Sequence, residues 1–100
     1  MKKIALITGA TSGIGEACAR RFADGGYDLI ITGRRTEKLA TIKEDIEAQG
    51  TKVKTLTFDV RDADAAEAAI NSLEPEWRNV DVLINNAGLA LGLDKEFEGD

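Results

Sequence analysis

The 100 residues contain no histidine and only one each of cysteine, proline, tryptophan and tyrosine. Without histidine there is no imidazole to shuttle protons near neutral pH, and the commonest metal ligand is missing. One thiol, Cys18, can form neither an internal disulfide nor a structural zinc set, and it fits a reducing compartment. No apolar run approaches the ~20 residues that cross a bilayer. The opening Met1-Lys2-Lys3 has the charge of a leader, but the run Ile4–Ile7 is too short for its apolar part. A cytoplasmic location and no membrane partner are expected. Basic residues are outnumbered 13 to 18, a net charge of −5, so phosphate backbones are repelled and no nucleic-acid partner is expected. No repeat, linker or low-complexity segment is present, which excludes an array. A chain of this size buries roughly 65% of its unfolded surface, enough for one core.

What the chain does have is alternation. Residues 3–8 carry the unbroken apolar run Ile4-Ala5-Leu6-Ile7, the pattern of a strand buried on both faces. Residues 13–24 switch to helical spacing, with Ile14, Cys18 and Phe22 as the expected stripe, Ala17 and Arg21 alongside, and Gly25-Gly26 as the stop. A second strand follows at 28–32. Thr36 reads as the N-cap of a helix whose stripe is Leu39, Ile42 and Ile46 and which Gly50 closes. Residues 52–58 alternate polar and apolar, as a strand nearer an edge does. Asp64 with Glu67 resembles a capping box for a third helix with stripe Ala66, Ile70 and Leu73. Pro75 ends that helix or opens a separate turn, and Trp77 reads as a core anchor. A fourth strand lies at 82–84. Residues 91–100 show no period. The order β-α-β-α-β-α-β predicts an α/β fold, a Rossmann-type parallel sheet with helices on both faces and strand order 3-2-1-4.

Between the first strand and the first helix lies Thr8-Gly9-Ala10-Thr11-Ser12-Gly13-Ile14-Gly15. A helix N-terminus there presents N–H groups without intrahelical partners and a partial positive charge. Glycines permit the tight turn and let a pyrophosphate approach the backbone. Thr11 and Ser12 are expected to add hydroxyl donors. Gly9, Ala10, Thr11, Ser12, Gly13, Ile14 and Gly15 are therefore candidate nucleotide-binding residues. The bland alternative is a glycine-rich turn. A Walker A loop is excluded, because no Lys-Ser/Thr follows the last glycine.

The pattern Thr8-Gly9-x-x-x-Gly13-x-Gly15 resembles the cofactor motif of the short-chain dehydrogenase/reductase family. Asn85-Asn86-Ala87-Gly88 after the fourth strand and Asp59-Val60 after the third agree with it, in order and at matching strand ends. The likeness runs along essentially the whole chain and corresponds to the N-terminal part of a family domain more than twice as long. It implies that Asn86, Ala87 and Gly88 stabilise the sheet and line the cofactor cleft. It also implies that the Asp59 side chain meets the adenine amino group and that Val60 supports it through its backbone.

The cofactor is read from the end of the second strand. An NAD site places an acid there for the ribose 2′-hydroxyl. Here the residues are Thr32-Gly33-Arg34-Arg35, with two guanidiniums where a 2′-phosphate would lie. Arginine binds phosphate bidentately, so NADP is the expected cofactor, with Arg34 and Arg35 as its phosphate ligands.

The stretches 32–39 and 85–93, with Glu76-Trp77, are most similar to the branch holding the NADP-dependent 3-hydroxy acid and serine dehydrogenases. That resemblance implies hydride exchange with a small hydroxy acid or related alcohol, and a homo-oligomer for the full-length form. The family's proton-transfer Tyr-x-x-x-Lys has no counterpart: Tyr27 is followed four residues later by Ile31 and reads as a packing residue. Ser12 and Ser72 do not fit the catalytic serine, and the family's asparagine would lie beyond Asp100. No catalytic or metal residue is assigned, and residues 1–100 alone are expected to be inactive. The alternative function is a non-catalytic nucleotide-binding module. The tandem arginines and the Asn-Asn-Ala-Gly turn argue against an S-adenosylmethionine-dependent transferase.

Overall fold

The computed structural model describes residues 2–59 and 61–88. The elements run β1 (Ile4–Thr8), α1 (Gly13–Asp24), β2 (Asp28–Gly33), α2 (Thr36–Glu47), β3 (Val53–Thr57), α3 (Ala63–Asn71), a 3₁₀ turn (Pro75–Trp77) and β4 (Val82–Asn85). The four strands form one parallel sheet in the order β3-β2-β1-β4, as expected from the alternation. Strand β1 is central and buried along its whole length, which explains why it reads as an unbroken apolar run. Its register places Ile7 beside Ile31 of β2 and Ile84 of β4. Strand β3 lies at one edge, which accounts for its alternating polar residues.

Each face of the sheet has its own apolar layer. Ala5, Ile7, Leu29 and Ile31 pack against Ala19 and Ala23 of α1 and Leu39, Ile42 and Ile46 of α2. Ile4, Leu6, Ile30 and Leu56 pack against Ala66 and Ile70 of α3, with Leu73 and Trp77 completing that layer. Trp77 is the core anchor expected of it. Pro75 opens the short turn at a position where its missing N–H costs nothing.

Three local expectations are corrected. The buried face of α1 is Gly15, Ala19 and Ala23, with Cys18 and Phe22 half-buried beside it. Ile14 is 73% exposed, and Ala17 and Arg21 also face outward. Small residues face the sheet because the helix start lies against the loop backbone. A Cβ at Gly15 would run into the Gly9 carbonyl oxygen. Helix α2 begins one residue earlier than expected, at Thr36 itself. Arg35 occupies the N-cap with no side-chain cap bond, and Thr36 is the first helical residue. Helix α3 is capped by Asp62, whose carboxylate accepts from the Ala65 N–H at 3.0 Å, and Asp64 stands in the first turn. An aspartate three residues before a free helical N–H outcompetes one already inside the helix.

Candidate nucleotide site

Chain order runs outward from β1 to β3 and then returns to β4 on the other side, so the crevice lies between the C-terminal ends of β1 and β4. Ligands of open α/β sheets bind at such a reversal. Both the glycine loop and the Asn85–Gly88 turn lie there, although 70 residues separate Gly15 from Asn85 in sequence.

The loop is shaped by its own hydrogen bonds. Gly9 turns the chain out of β1 with φ +67°, a conformation that L side chains rarely adopt. Its carbonyl accepts from the Ser12 N–H at 3.2 Å, the Ser12 hydroxyl at 3.0 Å and the Asn86 side-chain amide at 3.1 Å. The Ser12 oxygen also accepts from the Gly15 N–H at 3.1 Å and from Asn86 Nδ2 at 2.9 Å. That hydroxyl therefore spends its one proton and both lone pairs inside the protein. In the structure Ser12 is the N-cap of α1 and a brace of the loop.

Asn86 is the second brace, joining the fourth strand's turn to the first strand's loop. Beside it, Thr8 Oγ1 donates to Asn85 Oδ1 at 2.8 Å and accepts from the Ala87 N–H at 3.1 Å. Gly88 turns away with φ +69°. On the other flank the Ala10 N–H donates to the Thr32 carbonyl at 2.9 Å, tying the loop to β2. Thr11 lies across Gly33, whose Cβ would stand 3.0 Å from the Thr11 methyl. Thr8 and Gly33 stand in the quoted motifs but are not among the candidate site residues. A glycine ending a buried strand is the signal for the second.

A different logic governs Gly13. Its φ is ordinary, and a Cβ there would meet nothing within 4 Å. Nothing among the described residues demands glycine at this position. The N–H groups of Gly13 and Ile14 have no hydrogen-bond partner among the described residues. Two donors at the positive end of a 12-residue helix thus open onto space beside a residue with no side chain. Ile14, the most exposed large apolar side chain described, stands at the same edge. This cradle fits a phosphorylated ligand.

The far end of the crevice is cationic. Arg34 and Arg35 are exposed in the turn after β2. Asp59 follows β3, where the Phe58 N–H donates to the Gly33 carbonyl at 3.0 Å and so aligns the two turns. The Asp59 carboxylate is gripped by Arg61, Nε to Oδ1 at 3.2 Å and Nη2 to Oδ2 at 3.0 Å, while Arg34 stands 3.9 Å away. Hydrogen bonds from the Arg61 side chain and N–H hold the carboxyl down at about 2. Arg61 is a further residue that sequence reasoning passed over; an acid and an arginine two apart in a turn is its only signal. Val60 lies outside the described residues. Tyr27 stacks edge-on against Phe22, ring centres 5.0 Å apart, and Ser72 donates to the Ala69 carbonyl at the end of α3. Both are packing or capping residues, as expected for positions outside the crevice.

The sheet order and the position of the glycine loop define a Rossmann-type α/β domain. Comparison with known proteins narrows this further, and residues 3–99 match the short chain dehydrogenase family. The chain belongs to that family. It is 50% identical over 91 residues to the NADP-dependent 3-hydroxy acid dehydrogenase of Salmonella typhi, covering 91% of this chain and 36% of that protein. It is 53% identical over the same length to sulfoacetaldehyde reductase 2 of Chromohalobacter salexigens, again covering 91% of this chain and 36% of the relative. Among solved structures, serine dehydrogenase from Escherichia coli matches with TM-score 0.77 and 47% identity over 90% of this chain and 40% of that one. L-sorbose reductase from Gluconobacter frateurii, complexed with NADPH and L-sorbose, matches with TM-score 0.79 and 32% identity, covering 87% and 34%. The chain thus spans little more than a third of the length of the curated relatives it matches. No helix among the described residues is long and apolar enough to cross a membrane.

Proposed function

We propose that this chain forms the NADP-binding part of a single Rossmann domain in a short-chain oxidoreductase. The substrate would be a small hydroxy acid or related alcohol. The observation that carries the cofactor reading is the pairing of two features across one crevice. One is the cradle at Gly13, with orphan N–H donors and no side chain. The other is the exposed pair Arg34 and Arg35, with no carboxylate at the end of β2 where an NAD site would place one.

In this reading the N–H groups of Gly13 and Ile14 receive the pyrophosphate, and Ile14 covers the adjacent sugar. Gly9, Ala10, Thr11, Ser12 and Gly15 shape the loop, and Asn86, Ala87 and Gly88 wall the crevice. Arg34 and Arg35 take the 2′-phosphate, while Asp59 and Val60 face the adenine. When bound, the nicotinamide supplies the hydride exchange; the residues named here bind it, orient it and exclude water. Proton transfer belongs to groups outside this set. The substrate class rests on relatives named for a 3-hydroxy acid, for serine and for sulfoacetaldehyde, each a small molecule with an acidic group near an oxygen function.

The test is a calorimetric titration of the intact protein with NADP and NAD. Each charge-assisted bond to the phosphate is worth about 1.5–3 kcal/mol. Arg34→Ala and Arg35→Ala should therefore each weaken NADP about tenfold or more and leave NAD nearly unchanged. Equal losses for both cofactors would refute the 2′-phosphate assignment.

A further inference from the structure

We infer that Arg61 is a positioning residue that keeps Arg34 available for a 2′-phosphate by occupying the carboxylate of Asp59. The inference rests on the reading of Arg34 given above. Strands β2 and β3 are neighbours, so the turns that follow them are side by side, and Arg34 is set next to a carboxylate by the fold itself. Left to themselves, a guanidinium and a carboxylate at that spacing close into an ion pair. Such a pair would cancel the charge on which a phosphate depends.

In the structure the Arg34–Asp59 pair stays loose, and Arg61 makes the close contacts. Arg61 meets both carboxylate oxygens with its fork, and its own N–H adds a third bond to Oδ1 at 2.9 Å. Arg34 reaches only Oδ2, at 3.9 Å, beyond hydrogen-bond distance, and its side chain stays 63% exposed. Arg35 makes no ion pair among the described residues. The cluster of Arg34, Asp59 and Arg61 carries one net positive charge, and Arg34 is the guanidinium not engaged in close hydrogen bonds to the carboxylate. Arg61 is itself exposed in the turn, so its removal leaves the core untouched.

The test uses the intact protein with two probes, 2′,5′-ADP and 5′-AMP, and reads the ratio of their dissociation constants. That ratio isolates the 2′-phosphate and cancels any change in folded fraction, which lowers both affinities alike. An exposed ion pair shifts an equilibrium by up to about fivefold. Arg61→Ala should therefore reduce the preference for 2′,5′-ADP by up to about fivefold, as Asp59 captures Arg34. Adding Asp59→Asn removes the competing charge and should restore the preference to that of Asp59→Asn alone. An unchanged ratio in Arg61→Ala overturns the inference. So does a ratio that falls and stays low in the double variant, which would mean that Arg61 itself touches the phosphate. A wild-type protein that shows no preference at all overturns the Arg34 reading, and this inference with it.

Discussion

Gly13 and Gly15 stand two residues apart at the start of one helix, yet alanine should act on them in opposite directions. At Gly15 the added methyl runs into the Gly9 carbonyl oxygen, with Ala10 Cα close behind. Both obstacles are backbone and cannot swing aside. Overpacking of this kind costs about 1–3 kcal/mol, and the helix must back away from the sheet. At Gly13 the methyl enters open space, and the backbone conformation is one that alanine adopts freely. Gly→Ala at a compatible position stabilises by about 0.4–1 kcal/mol, chiefly by restricting the unfolded chain. Thermal unfolding followed by circular dichroism should show Gly15→Ala melting several degrees lower and Gly13→Ala up to about 4 °C higher. Nucleotide binding should part from stability in the second case. The methyl occupies the cradle and holds a phosphate away from the N–H groups of Gly13 and Ile14, at a cost of about 1.5–3 kcal/mol for one charge-assisted bond. Gly13→Ala should therefore be a more stable protein that binds NADP about tenfold or more weakly. If it melts lower, as Gly15→Ala does, or binds NADP as tightly as wild type, the cradle has been misassigned.

Two further outcomes are expected. Asn86→Leu keeps the number and branching of the side-chain heavy atoms but removes the donor to Gly9 and Ser12. Urea unfolding should show a loss of about 1–3 kcal/mol for the two bonds, with weaker nucleotide binding as the loop relaxes; full affinity in a folded variant would show that the brace has no role in the site. Asp59 has its pKa lowered from 3.8 to about 2 by Arg61, so its stabilising contribution is present above 3.8 and is lost as pH falls toward 2. The urea midpoint of the wild type should therefore fall more steeply than that of Asp59→Asn over that window, and parallel curves would contradict the ion pair.

Local chemistry was enough to read the order of elements and the class of the sheet. An apolar run such as Ile4–Ile7 admits few structures other than a strand covered on both faces, and each switch to helical spacing marks a crossover. Glycine positions and the acid-free end of β2 were equally legible, because they concern neighbours in sequence. Misreadings fell where several short-range solutions compete. Ile14 fits a helical stripe as well as Gly15 does, and a hydrophobicity pattern ranks isoleucine above glycine for the core. Asp62 and Asp64 are both good caps by type, and only the path of the chain selects one.

The sequence by itself determined that this chain makes a parallel α/β sheet with a glycine-rich loop after its first strand, since both follow from interactions within a few residues. Tertiary structure alone decided how that loop is used. The Ser12 hydroxyl can serve a ligand or the protein, and it is the arrival of Asn86 from the far end of the chain that commits it to the protein. Arg34 can bind a phosphate or a carboxylate, and the outcome depends on Asp59 and Arg61 being delivered beside it by the adjacent strand. Residue types set what each group can bond, but a hydrogen bond or ion pair reaches only ~3–4 Å. Which partner lies within that distance is a property of the packed sheet and not of the chain read in order.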